Sequence, residues 1–196
     1  MSVYQKMADR LIRKGYIEAE DREVYAYGFD IIFYTIWSTV VLLVIGILFR
    51  KFWESVVMVA VFYTFQCTGG GYHANTHWKC LLTMVVGLIV GLVMCCLSIF
   101  PIILWIVTGI GTILLFVFPL ALHPNKAYLE DRRKSLSIRS VIITLCILAI
   151  AITVSLLLPW LLCAFAMSFL FAAISRVTGK TIYGKTGRKD PPNNSL

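Results

Sequence analysis

The sequence predicts an all-α, polytopic membrane protein of about six transmembrane helices, preceded by an amphipathic helix, with both termini on the cytoplasmic side. Three observations carry that prediction. Hydrophobic residues make up 59% of the 196-residue chain and charged residues 14%, with a mean hydropathy of +0.83, well outside the range of soluble domains. The apolar residues gather into runs that match a hydrocarbon core of about 30 Å, which takes about 20 helical residues to cross. When six such runs are threaded through a bilayer, every one of the 18 Lys and Arg residues except Arg50 and Lys51 falls on one side, which marks that side as cytoplasmic.

Residues 1–28 mix basic side chains with Asp9, Glu18, Glu20, Asp21 and Glu23 and lack the apolar core of a signal peptide, so the segment is expected to be retained. Val3, Met7, Leu11 and Ile12 recur at helical spacing, which predicts an amphipathic helix lying on the inner leaflet. The membrane domain, residues 29–178, holds apolar runs at 29–49, 52–67, 81–100, 102–122, 138–158 and 159–177. The run 52–67 would reach only about 24 Å, so it spans only with Lys51 and Thr68 in the interfaces. If it merely dips into the bilayer, the glycine-rich segment that follows stays on the basic side. Residues 179–196 are basic and then rich in Pro and Asn, the composition of a flexible tail at the membrane surface.

A formal net charge of +8 needs no nucleic-acid partner, because cations flanking a bilayer gain about 1 kcal/mol each from anionic headgroups. The six cysteines face a reducing compartment or lie inside apolar runs, so no disulfide is expected. Cys95, Cys96, Cys146 and Cys163 read as packing residues, as does Cys67 at a run's end. Gly87 and Gly91 form a G-x-x-x-G pattern that lets helices approach closely. The five longer runs carry no Asp, Glu, Lys or Arg away from their ends. Ion-coupled transporters place such groups at depth, so a small peptide transporter or exporter is only the alternative function.

One polar segment breaks the pattern: residues 68–80, Thr-Gly-Gly-Gly-Tyr-His-Ala-Asn-Thr-His-Trp-Lys-Cys. Cys80 stands at the lip of an apolar run, beside Lys79 and near His73 and His77, a setting that favours a thiolate nucleophile with a nearby base. On an unbroken helix His73 and Cys80 would be separated by a rise of about 10.5 Å, beyond hydrogen-bond reach, so the segment must bend. Gly69, Gly70 and Gly71 supply the freedom to do so and let a substrate backbone come close. His77 is the rival base, since three residues on a helix would bring it against Cys80. His73, His77 and Cys80 also make a metal-like trio, but no carboxylate lies in the motif to act as a metalloprotease base, so neither metal nor other cofactor is expected.

Gly70-Gly71-Tyr72-His73-Ala74, with Cys80 seven residues after the histidine, resembles the accessory gene regulator B (AgrB) family. The basic stretch opening His123-Pro124-Asn125-Lys126 and continuing to Arg132-Arg133-Lys134 is similar to that family's second cytoplasmic loop, read here as residues 123–139. Length, number of runs and loop order agree over nearly the whole chain. The resemblance implies a multi-pass cysteine endopeptidase of the cell membrane, acting on the cytoplasmic side on an AgrD-like precursor of a quorum-sensing peptide. It implies Cys80 as nucleophile, His73 as base, a thioester intermediate, and closure to a thiolactone or lactone. Gly70 and Gly71 would then meet the substrate, and Lys126, Arg132, Arg133 and Lys134 would attract an acidic segment of the precursor. Some members carry a basic pair six and seven residues before the histidine, where this chain has Cys67 and Gln66. Gln66 and His77 are expected to support the catalytic pair, and the family suggests a homodimer.

Overall fold

The computed structural model describes residues 3–72, 76–97, 99–121 and 132–186, with side chains described through Ile182. Among them are seven α-helices: α1 (Val3–Arg13), α2 (Arg22–Leu48), α3 (Phe52–Gly69), α4 (His77–Cys96), α5 (Pro101–Val117), α6 (Arg133–Leu157) and α7 (Leu162–Thr186). Ala19–Leu48, His77–Cys96, Arg133–Leu157 and Pro159–Ile182 are long and apolar enough to cross a membrane, and α5 is a shorter apolar helix of 17 residues. The chain is thus an all-α membrane protein. At 18 residues, α3 extends about 27 Å, close to the hydrocarbon thickness.

Residues 1–41 form one compact unit. Within it, α1 ends at Gly15, whose φ of +71° suits glycine. Gly15 N–H donates to Ile12 O and Tyr16 N–H to Leu11 O at 2.9 and 3.1 Å, the paired bonds that satisfy the last carbonyls of a helix. Arg22 returns from the start of α2 and grips Asp9 through two bonds of 2.6 and 3.1 Å. The Tyr4 ring packs near Phe33, with centroids 5.8 Å apart.

Residues 42–196 form the second unit, built around α7. Leu161 to Phe169 are buried without a break, the mark of a helix enclosed on all sides, and α3, α4, α5 and α6 pack against it. Phe65, Leu115, Ile147, Phe165 and Phe169 make one core cluster, and Met58, Leu88, Leu92, Leu104 and Met167 belong to another. Gly111 lets α5 press onto α7, because a Cβ there would lie 2.9 Å from the Phe169 backbone. The outward faces carry Ile, Val and Leu, among them Ile106, Ile113, Leu145 and Leu156, as lipid contact requires.

Several boundaries differ from the sequence expectation. The run expected to reach residue 122 stops as a helix at Val117, since Pro119 offers no N–H and biases Phe118 out of the helical region, to φ −120° and ψ 66°. Helix α6 begins at Arg133, so Arg133, Lys134 and Arg139 stand on a helix and not in a loop. Helix α7 runs on through Thr186, into the segment read as a tail. Among the described residues, the membrane domain also holds two buried charged side chains: Glu54, 4% exposed, and Arg176, 1% exposed. Gly91 is engaged by Met58 of α3, whereas the space around Gly87 is open, so the two glycines of the G-x-x-x-G pattern do not share one free face.

Candidate functional site

The glycine segment leaves α3 at Gly69 and is held by α3 itself, by the segment after α5 and, at Tyr72, by α7. Gly70 adopts a φ of +67°, and its N–H donates to Gln66 O at 3.1 Å. Ala121, just past the end of α5, donates its N–H to Gly69 O at 2.8 Å and pairs with Gly70 in an isolated parallel bridge. Tyr72 N–H is shared between the Ser175 carbonyl at 2.9 Å and the Ser175 hydroxyl at 3.1 Å. The Gln66 side chain donates from Nε2 to the same hydroxyl at 3.0 Å.

Arg176 lies beneath this loop. One guanidinium nitrogen donates to Phe65 O and another to Pro119 O, each at 3.1 Å, and the group stands over the Phe65 ring, 5.6 Å from its centroid. Both carbonyls belong to helix C-terminal regions, where a cation is favoured. The loop glycines fit this arrangement. A Cβ at Gly69 would fall on the Arg176 guanidinium, one at Gly71 on Gln66 and Ser175, and one at Gly70 would lie 2.6 Å from Ala121 O. Gly179, one turn beyond Ser175, completes the seat, since its Cβ would lie 2.9 Å from Gly71 C and Tyr72 N. The close approach that glycine permits is therefore made by the protein's own groups on these faces.

Cys80 sits in the first turn of α4, half-buried and unbridged. The helix starts at His77 because Thr76 is extended (φ −136°, ψ 146°) and its hydroxyl accepts from Lys79 N–H at 3.4 Å, an N-cap. Cys80 N–H in turn donates to Thr76 O at 3.1 Å. His77, Trp78 and Lys79 are exposed around that turn. His77 and Cys80 are thus three residues apart on one helix, as helical spacing predicts. His73 and Lys126 lie outside the described residues. Arg132 precedes α6, and Arg133 and Lys134 occupy its first turn, all exposed.

Sequence reasoning named Gln66 but missed its partner Ser175, and it counted Arg176 among the surface cations. A signal was present: Arg176 falls inside the last apolar run, before Val177, and Ser175 and Gly179 are small residues four apart, the spacing of close backbone packing. A family model described as accessory gene regulator B matches residues 4–176. No curated protein and no solved structure matches the chain. The matched stretch covers the N-terminal helix, the glycine loop, Cys80, the basic start of α6 and the Ser175–Arg176 seat, and the chain belongs to the accessory gene regulator B family.

Proposed function

We propose that this protein is a membrane cysteine endopeptidase that cleaves an AgrD-like precursor, with Cys80 as nucleophile and His73 as general base. Family membership assigns the chain to autoinducer processing; the chemistry and the residues are our reading. One observation carries it: Tyr72 and Thr76, which flank residues 73–75, are both anchored, the first to Ser175 of α7 and the second as the cap of the helix bearing Cys80. Fixed positions for Tyr72 and Thr76 are the kind of pre-organisation that a thiol and its base need for catalysis.

In this mechanism His73 takes the Cys80 proton as sulfur attacks the scissile carbonyl. The C–N bond breaks, the imidazolium returns the proton to the leaving amine, and a thioester joins the N-terminal fragment to Cys80. A thiol or hydroxyl within that fragment then displaces the Cys80 sulfur and closes a thiolactone or lactone. Gly70 and Gly71 do not receive the substrate backbone, as their sequence pattern had suggested, but shape the loop by admitting Ala121, Gln66 and Ser175, while Gln66 and His77 support the pair, Gln66 through Ser175. Arg132, Arg133 and Lys134, with Lys126, attract an acidic precursor segment. Cations in the first turn of α6 oppose its dipole, typically by about 0.3–1 kcal/mol each, and an anionic partner there would reverse that term.

The test is processing of a precursor peptide with an amphipathic helix, an internal cysteine and an acidic C-terminal segment, in proteoliposomes, with mass analysis for an acyl adduct on Cys80. Cys80→Ala and His73→Ala should abolish processing while His77→Ala retains most of it. Full activity of Cys80→Ala would overturn the reading. Charge reversal at Arg132 and Arg133 should raise the substrate concentration needed without disturbing insertion, and the effect should shrink with added salt.

A further inference from the structure

Arg176 is the largest fully buried side chain among the described residues, and no step of the mechanism above uses it. Its partners there are carbonyl oxygens and not carboxylates, and its Nε has no partner. Burying a charge is costly unless it is well bonded, so such a group in a membrane protein points to a role that outweighs its cost. The placement indicates which role. Phe65 O belongs to the last turns of α3, which lead into the glycine loop, and Pro119 O belongs to the segment leading to the basic stretch. The neighbouring Ser175 holds Tyr72 by carbonyl and hydroxyl, and holds Gln66 by the hydroxyl.

We propose that Ser175 and Arg176 are positioning residues for the thiol and imidazole pair, acting by fixing Gly69 to Tyr72 on α7 immediately before His73 in the chain. The inference rests on the assignment of His73 as base. Ser175 acts on the loop's exit at Tyr72, and Arg176 acts on its entry at Gly69 while tying that entry to the root of the basic stretch. Neither touches substrate.

The experiment measures alkylation of Cys80 by iodoacetamide in full-length protein in proteoliposomes, across pH, with the Cys80 peptide quantified by mass spectrometry. The variants are His73→Ala, Ser175→Ala, Ser175→Thr and Arg176→Lys. A positioned base makes the thiol reactive near neutral pH, while at about pH 10 a thiol ionises without help. Ser175→Ala and Arg176→Lys should react about tenfold more slowly than wild type near pH 7, match it near pH 10, and follow the His73→Ala profile; Ser175→Thr should keep the wild-type profile. A purely structural role predicts a different pattern, in which reactivity changes at every pH. If His73→Ala loses the neutral-pH reactivity while Ser175→Ala and Arg176→Lys keep it, the positioning inference fails and the catalytic pair stands. If His73→Ala itself matches wild type, the assignment of the base fails first. Ser175→Ala leaves the Ser175 carbonyl bond to Tyr72 intact, so it decides the matter even where Arg176→Lys does not insert.

Discussion

The two ends of α3 solve the same problem in different ways. At its start, Arg50 takes a φ of +56°, Lys51 N–H reaches back to Gly46 O at 2.8 Å, and the buried Glu54 is paired to Lys51 at 2.8 Å. At its other end, the buried Arg176 comes from α7 and is bonded to carbonyls of two separate segments. The first arrangement is local: an ion pair three residues apart that a single turn can build. The second joins residues 57 and 111 positions apart in sequence and exists only when three segments are in place. A buried charge that closes one turn supports that turn, whereas a charge that bridges segments sets the geometry between them.

The comparison is broken most directly at Gly69. An alanine there would overlap the Arg176 guanidinium, and we expect processing to fall about a hundredfold with a stability loss of about 1–3 kcal/mol. Gly87→Ala, in open space, should change neither, and the pair can be measured side by side by peptide processing and Tm. Retained processing in Gly69→Ala would show that the bridged end does not need its tight fit. At the local end, Lys51→Met leaves Glu54 buried without its cation. Because Lys51 is 30% exposed, the cost should be about 1–2 kcal/mol, below that of a fully buried pair, with processing per folded molecule unchanged.

Protonation sharpens the contrast further. The bond from Glu54 holds the Lys51 ammonium above its ordinary pKa of 10.5. The stabilisation from this shift is therefore complete below that value and lost only as pH rises through the raised one, so a titration across neutral and mildly alkaline pH should leave this end unaffected while strong alkali lowers Tm. The smallest effect belongs to α1. Hydrogen bonding from Arg22 holds Asp9 below its ordinary pKa of 3.8. That contribution is present above 3.8 and disappears as pH falls through the lowered value. Hydrogen exchange of α1 amides should speed slightly in Asp9→Asn at neutral pH, and wild type should approach the variant in acid.

The membrane class is legible in the sequence, because it depends on residues close in the chain; the equally local pair of Lys51 and Glu54 was passed over within an apolar run. Apolar runs and the amphipathic spacing of α1 can be read from neighbours. The seat of the loop cannot, since it is formed by Gln66 near the end of α3, Ala121 beyond α5, and Ser175 and Arg176 in the middle of α7. Pro119 lies within the apolar run 102–122, and apolar composition alone does not show that the helix stops before it, at Val117. Arg176 was counted by its charge, and charge at the end of an apolar run is ordinarily a surface cation.

The order of synthesis gives this seat a meaning of its own. Gly69 to Tyr72 leave the ribosome well before Ser175, Arg176 and Gly179, the groups on which they rest. A chain that has inserted α3 and α4 but not yet α7 holds the thiol without the framework that shapes the loop beside it. Under that order the seat of Gly69 to Tyr72 can close only once α7 has been made, so the loop takes its final form late in the building of the bundle.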